Sequence, residues 1–139
     1  MKNSPVFKSG TALMIASVLF LSSCQDMFES RTDLLTDGVW SFQSFQNPDL
    51  GSAEKALITA IFSLASWDYM ADGTYSIAFA DTALSADGGT WEFNDDASVL
   101  THDKGTDDEA LLNIVDLTES TLSYSYDDST GTNTLILTR

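Results

Sequence analysis

The chain has 139 residues, of which 43% are hydrophobic and 19% are charged, enough for one domain with its own core and too short for two. Six Lys and Arg residues stand against 21 Asp and Glu residues, so the formal net charge is −15. This charge would repel a nucleic acid, and we expect no nucleic-acid partner. The single Cys excludes an internal disulfide framework and a zinc site built from thiolates.

The first 23 residues have the three parts of a secretory signal peptide. Lys2 and Lys8 give a positive start, residues 11–21 form an apolar stretch, and Leu21-Ser22-Ser23-Cys24 closes the segment. A transmembrane helix needs roughly 20 apolar residues, so a cleaved segment is favoured over a retained span. The pattern resembles the signal peptide and lipobox of bacterial lipoproteins.

This resemblance implies that Cys24 becomes the N-terminus and carries lipid chains, and two such chains hold a protein stably at a bilayer. We therefore expect a cell-envelope protein attached to the outer membrane through Cys24, on either its periplasmic or its surface face. The alternative is a secreted protein with one free Cys. The predicted organisation is a signal peptide at 1–23, a polar tether at 24–33 and a folded domain at 34–139.

The folded domain is predicted to be all-β, because short segments of alternating apolar and polar residues are separated by Asp, Gly, Asn and Ser. The eight predicted strands contain Trp40 and Phe42; a segment ending near Tyr69; Tyr75, Ile77 and Phe79; Trp91 and Phe93; residues 98–101; Leu112 and Ile114; Leu122, Tyr124 and Tyr126; and Leu135 and Leu137. Breaks about every ten residues favour an antiparallel meander. Asp72-Gly73 predicts a two-residue type I′ turn.

Residues 52–64 interrupt this pattern. Leu57, Ala60, Ile61 and Leu64 have helical spacing, and Ser52 is a candidate N-cap. A short helix between the first two strands is favoured, and one long strand through Phe62 and Leu64 is the alternative.

Eight antiparallel strands in about 100 residues can close into a barrel without exposed edges, wide enough for packed side chains or one small ligand. The fragments Leu34 to Trp40, Asp72 to Tyr75, Gly89 to Trp91 and Ile114 to Leu122 resemble, in this order, the bacterial lipocalin-like lipoproteins. The resemblance implies an eight-stranded up-and-down barrel over 34–139. In lipocalins a Trp in the position of Trp40 packs at the closed barrel end against a basic residue near the last strand, and Arg139 is the only candidate for that partner.

Catalytic and metal-binding motifs are lacking. The sequence has no His-Glu-x-x-His, Gly-x-Ser-x-Gly or Cys-x-x-Cys, and His102 is its single His, so we expect neither an enzyme nor a cofactor. His102 is predicted at a solvated rim, with a polar ligand contact as the alternative. The acidic loop 103–109 lacks EF-hand spacing and is predicted to be solvated, with weak cation binding as the alternative and no dedicated metal site.

Two functions remain, and they differ in what fills the barrel. The first is binding or carrying a small, mainly apolar molecule. Its predicted cavity wall consists of Trp40, Phe42, Tyr75, Ile77, Trp91, Phe93, Leu112, Leu122 and Tyr124. The second is a structural or interaction lipoprotein whose side-chain-filled barrel presents acidic loops to an envelope partner or a glycan. We expect a monomer, and the negative charge favours neutral or cationic ligands over anions.

Overall fold

A computed structural model describes residues 30–80 and 86–139. Within these ranges a helix at residues 30–36, α1, precedes the first strand, and helix α2 (Ser52–Phe62) connects the first two strands. The strands are β1 (Trp40–Gln46), β2 (Ala65–Tyr69), β3 (Thr74–Phe79), β4 (Asp87–Phe93), β5 (Val99–His102), β6 (Ala110–Leu117), β7 (Thr121–Asp128) and β8 (Gly131–Thr138). The first four residues of α1 fall in the segment predicted as a tether.

The strands form a closed antiparallel barrel in which each strand pairs with its neighbours in sequence. β1 closes the barrel by pairing with β8, where Phe42 lies opposite Leu137. Because every strand lies between two others, the barrel has no exposed edge. The predicted eight-stranded up-and-down barrel, with a short helix between its first two strands, is confirmed.

The two ends of the barrel differ in packing. Helix α1 and the turns at 70–73, 94–98 and 118–120 lie at one end, which we call the closed end. Helix α2 and the loops at 103–109 and 129–130 lie at the other, the open end. Among residues 30–80 and 86–139, the hydrophobic side chains with no exposed surface are Leu35, Trp40, Ala97, Leu100, Leu122 and Leu137. All six belong to the closed half, so the solid part of the core lies there.

Trp40 and Arg139 meet at the closed end. The guanidinium carbon of Arg139 lies 4.3 Å from the centroid of the Trp40 ring, and Trp40 Nε1 donates to the Leu35 carbonyl at 2.9 Å. Arg139 also donates to the carbonyls of Leu34 and Glu119, at 3.0 and 2.6 Å. The contact expected from the resemblance is therefore present, and it joins the first strand to the end of the last.

Strand β1 departs from strict alternation. Its register against β8 shifts between Phe42 and Ser44, so that Phe45 lies opposite Leu135. A bulge of this kind adds one residue to a strand and reverses the faces beyond it. Phe45 therefore packs against the core together with Phe42, an arrangement that a period of two does not predict.

The turn between β2 and β3 also differs from the prediction. The Met70 N–H donates to the Thr74 carbonyl at 2.8 Å, which leaves residues 71–73 as the loop. A type I′ turn needs positive φ at two consecutive residues, whereas within this loop only Gly73 has one, at +85°. The predicted two-residue turn is wrong, because the loop has three residues and ends on a left-handed glycine.

Helix α2 is positioned at the open end by contacts at its N-terminal side. Before it, Asn47 is buried, donates to the Asn133 side chain at 2.8 Å and accepts from the Asp49 N–H at 2.8 Å. Gly51 is the N-cap residue, and its N–H donates to the Glu54 carboxylate at 2.9 Å. The predicted cap at Ser52 is therefore wrong, because Ser52 is already the first helical residue.

The face of α2 that packs against the barrel is not the one that the helical spacing indicated. Leu57 and Leu64 are 63% and 41% exposed, whereas Phe62 is half-buried. The Phe62 ring lies 5.9 to 6.4 Å, between ring centroids, from the rings of Phe42, Phe45 and Trp67. This aromatic contact orients the helix. Ile58 is half-buried on the same side, whereas Leu57 and Ile61 remain exposed. Neither α1 nor α2, as described, has the length and apolar character needed to span a bilayer.

Candidate functional site

The open half of the barrel contains a cavity of about 400 Å³, which we call the inner cavity. Its wall consists of Phe62, Trp67, Ile77, Phe79, Asp87, His102, Ala110, Leu112, Tyr124, Tyr126 and Leu135. The volume lies at the lower end of the range of small-molecule sites, about 300 to 1,000 Å³. The inner cavity therefore has the size of a site for one small molecule.

Most of this wall is apolar because alternate residues of the strands point inward. Trp67 on β2 lies opposite Ile77 on β3, and Tyr124 on β7 lies opposite Leu135 on β8. Leu112 contributes from β6. Side chains from most of the barrel thus surround one apolar space.

His102 is a polar group in this wall, and it is buried with only 7% of its surface exposed. Its ring stacks on the Tyr75 ring, with 4.1 Å between centroids and 18° between planes. His102 Nε2 and Tyr69 Oη lie 3.1 Å apart and share a hydrogen bond. Burial lowers the pKa of His102 to about 4, and the nearby Asp103 and Asp87 carboxylates oppose that shift only in part.

The prediction that His102 lies at a solvated rim is therefore wrong. His102 ends a short strand, but its side chain is on the inward face, opposite Trp91 on β4 and Ala110 on β6. Tyr75 covers one face of its ring, and Tyr69 is hydrogen-bonded to its Nε2. At neutral pH the group is an uncharged hydrogen-bonding partner.

Asp103 is held against the barrel by two hydrogen bonds. The Tyr75 hydroxyl donates to it at 2.8 Å, and the Thr90 N–H donates to it at 2.9 Å. These bonds lower the pKa of Asp103, and burial together with the Asp103 contact raises the pKa of Tyr75. Gly89 makes room for this carboxylate, because a Cβ there would overlap it.

Tyr124 presents a hydroxyl that no described residue satisfies. The side chain is only 4% exposed, lines the inner cavity and makes no hydrogen bond within 30–80 and 86–139. Burial raises its pKa, so the phenol stays protonated and can donate. A molecule in the inner cavity that carries a hydrogen-bond acceptor can therefore accept from this hydroxyl.

A second concavity, of about 520 Å³, adjoins the inner cavity at the open end, and we call it the acidic vestibule. It is lined by Tyr75, Ile77, Asp87, Gly88, His102, Asp103, Thr106, Asp108 and Ala110. Four of these residues, Ile77, Asp87, His102 and Ala110, also line the inner cavity. The two spaces therefore share a wall.

A third concavity, of about 370 Å³, lies between α2 and the ends of β7 and β8. Phe62 and Tyr126 line both this space and the inner cavity. These two side chains thus border both the inner cavity and the groove under the helix.

The predicted wall residues fall into two groups. Ile77, Leu112 and Tyr124 line the inner cavity, and Tyr75 lines the vestibule with Ile77. Trp40, Phe42, Trp91, Phe93 and Leu122 belong to the core cluster or pack against it, and neither space includes them. Trp40 and Leu122 lie in the packed closed half.

Several residues of the inner cavity were not assigned to its wall from the sequence. Trp67 could have been assigned from the sequence, because Ala65, Trp67 and Tyr69 alternate with polar residues. The structure buries all three. Phe79, Tyr126 and Leu135 lie on predicted strands and could have been extended to the wall in the same way. Phe62 and Asp87 depend on how α2 and the start of β4 sit at the open end, which periodicity does not encode.

The acidic loop at 103–109 is exposed except at Asp103. Among the described residues, no three His, Cys, Asp or Glu side chains are grouped so that they could hold a metal ion. Lys104 of this loop forms an ion pair with Glu92 on β4.

The predicted lipid attachment residue, Cys24, lies outside the described residues. Comparison with known proteins gives no relative: no protein-family model matches the sequence, and no curated protein matches it significantly.

Proposed function

We propose that this protein is an envelope-anchored, lipocalin-like lipoprotein that binds a small, mainly apolar molecule in the inner cavity. The observation that carries this proposal is the cavity itself, about 400 Å³ lined mainly by apolar and aromatic side chains. A few polar groups in an apolar wall are typical of small-molecule sites, and His102 and Tyr124 are such groups. The alternative function assumes a barrel filled by its own side chains, and only the closed half fits that description.

The packing of the two halves supports this division of roles. The closed half, with Trp40, Leu122 and Leu137 fully buried, supplies stability. The open half keeps space inside and is covered by α2, which has no buried residue. A ligand can therefore enter through the open end without disturbing the solid core.

The anchor is proposed from the sequence of residues 1–24. Lys2, Lys8, the apolar stretch 11–21 and Cys24 fit a lipoprotein signal peptide. Helix α1, whose first four residues fall within the predicted tether, packs at the closed end through Leu35. A chain anchored through Cys24 would therefore join the barrel at the end opposite the vestibule, leaving the mouth toward solvent.

The anchor is tested by replacing Cys24 with Ser. We expect the wild type to fractionate with membranes and to show the mass of acyl chains on its mature N-terminal peptide. The C24S variant should lose the acyl mass and stay uncleaved or become soluble. A wild type without acyl mass would contradict the anchor and leave the cavity proposal standing.

Ligand binding is tested by native mass spectrometry of the full-length protein, purified in detergent from cells that express it naturally. We expect a small-molecule mass on the wild type and none on Ala110→Phe, since Ala110 lines both the inner cavity and the vestibule. The matched control is Val115→Phe, which adds the same ring to the same strand at a position 63% exposed. Equal occupancy of A110F and the wild type would overturn the proposed site.

A further inference from the structure

We propose that the ligand is a hydrophobic amine, with its apolar body in the inner cavity and its ammonium group in the acidic vestibule. This inference rests on the proposed binding function and adds the chemical class of the ligand.

The two spaces are arranged for a molecule with one apolar and one polar end. They share Ile77, Asp87, His102 and Ala110, so the inner cavity and the vestibule adjoin at the open end, and a ligand in the cavity would place its outer end beside the vestibule. Beyond this shared wall, the inner cavity is lined mainly by aromatic and aliphatic side chains, whereas the vestibule adds Asp103 and Asp108. The change from apolar to anionic lining follows the direction from the interior to solvent.

Two of the vestibule carboxylates have no counterion. Asp87 and Asp108 are exposed and form no ion pair with any residue of the described ranges, in contrast to Glu92, which pairs with Lys104. Both also contribute to raising the pKa of Tyr75, so their field reaches the inner end of the vestibule. Asp103 differs from them because Tyr75 and Thr90 already hold it. Asp87 and Asp108 therefore remain available to a cationic group.

The site offers nothing positive that an anionic ligand could use. Of the four described cations, Arg139 is engaged at the closed end and Lys104 is paired, and Arg31 and Lys55 line none of the three concavities. His102 is uncharged at neutral pH because burial lowers its pKa to about 4. A carboxylate ligand such as a fatty acid would meet the vestibule with repulsion alone.

The unpaired hydroxyl of Tyr124 is an independent indication of a ligand. It lies in the wall of the inner cavity, and its side chain is more than nine-tenths buried. A hydrogen-bond acceptor on the body of the ligand would satisfy it, whereas a pure hydrocarbon would leave it unpaired. The expected ligand is thus an amine whose mainly apolar body carries at least one polar atom.

The test uses three probes that share one naphthalene body and differ in the head group: 2-(1-naphthyl)ethylamine, 2-(1-naphthyl)ethanol and 1-naphthylacetate. Each is titrated calorimetrically into the full-length protein in detergent at pH 7, with a blank titration into the same detergent. We expect the amine to bind most tightly, the alcohol more weakly and the carboxylate most weakly. Raising the salt concentration should lower the affinity for the amine and leave the affinity for the alcohol unchanged, since salt screens exposed charges.

The variants Asp87→Asn and Asp108→Asn remove one charge each and keep the shape of the side chain. Each variant should bind the amine about two- to fivefold more weakly and bind the alcohol with unchanged affinity, as expected for loss of an exposed ion pair. The matched control is Asp116→Asn, which removes the same charge from an exposed position on β6 toward the closed end. It should change none of the three affinities.

The outcomes separate the two proposals. Equal binding of amine and alcohol, or the same loss of amine affinity in D116N as in D87N, would overturn the amine inference and leave the apolar site standing. Binding of none of the three probes would overturn both. An alcohol that binds wild type and A110F equally would place its site outside the cavity and contradict the proposed function.

Discussion

Burial makes His102 an uncharged side chain under ordinary conditions. Its imidazole is enclosed by Tyr69 and Tyr75 and retains 7% of its surface. The carboxylates of Asp103 and Asp87 favour the protonated form but do not offset the loss of solvent. The histidine therefore fixes the positions of two tyrosines without adding charge to the cavity.

This environment predicts a pH dependence of stability. The pKa of His102 is about 4 in the folded protein, against about 6.5 in the unfolded chain. Between these values the unfolded chain binds more protons, so the free energy of unfolding falls as the pH falls from 6.5 to 4. Between pH 7 and pH 4.5, the wild type should lose about 2 kcal/mol more than His102→Gln, measured by denaturant unfolding. Equal losses in the two proteins would contradict a neutral, buried His102.

Arg139 is the residue whose removal should affect the closed end most. It loses two hydrogen bonds to carbonyls and the contact with Trp40 when it is replaced by Met, which retains only its apolar stem. We expect Arg139→Met to lower the free energy of unfolding by about 2 to 4 kcal/mol. Lys104→Met is the control, because the ion pair of Lys104 with Glu92 is exposed, and it should have little effect on the same measurement. A similar effect of both substitutions would argue against a special role for the closed-end contact.

Among the elements, helix α2 makes its aromatic contacts with the barrel through one side chain. Phe62 is half-buried against Phe42, Phe45 and Trp67, whereas Leu57 projects into solvent. Since Phe62 also lines the inner cavity, the helix both covers the site and bounds it.

Replacing Phe62 with Ala should therefore loosen this cover. We expect a loss of about 1 to 2 kcal/mol of stability, since the ring is only partly buried, together with faster amide hydrogen exchange confined to α2. Leu57→Ala should change stability by less than about 0.5 kcal/mol and leave the exchange of α2 unaltered. Faster exchange throughout the barrel in F62A would show that the ring supports the whole fold and is not specific to the helix.

The strands were largely predictable from the sequence because one face of each packs inward, which imposes a period of two. The helix was predictable because Leu57, Ala60, Ile61 and Leu64 share its period. The orientation of the helix was not, since Ile58 and Phe62 share that period as well, and the choice between faces depends on Phe42, Phe45 and Trp67, which are distant in sequence. The bulge that turns Phe45 inward likewise depends on pairing with β8.

At the scale of the whole molecule, the barrel combines a solid half with a hollow half. Alternation with a period of two predicts which side chains point inward. It does not predict whether such a side chain packs against others or lines a cavity, because that depends on its position along the barrel axis. Trp40 and Leu122 were therefore predicted as cavity wall together with Ile77 and Tyr124, although only the latter pair line the inner cavity. The burial of His102 could not be predicted for a similar reason, because it depends on Tyr69 and Tyr75 from other strands.

The most direct test of the central claim, that the open half of the barrel binds an apolar molecule, is the calorimetric affinity of 2-(1-naphthyl)ethanol for three forms of the full-length protein. The wild type and V115F should bind with the same affinity at one site per chain. A110F should bind at least about tenfold more weakly while keeping the thermal unfolding midpoint of V115F, because its ring occupies the wall shared by the inner cavity and the vestibule. Equal affinity of all three proteins, or no binding to the wild type, would contradict the claim.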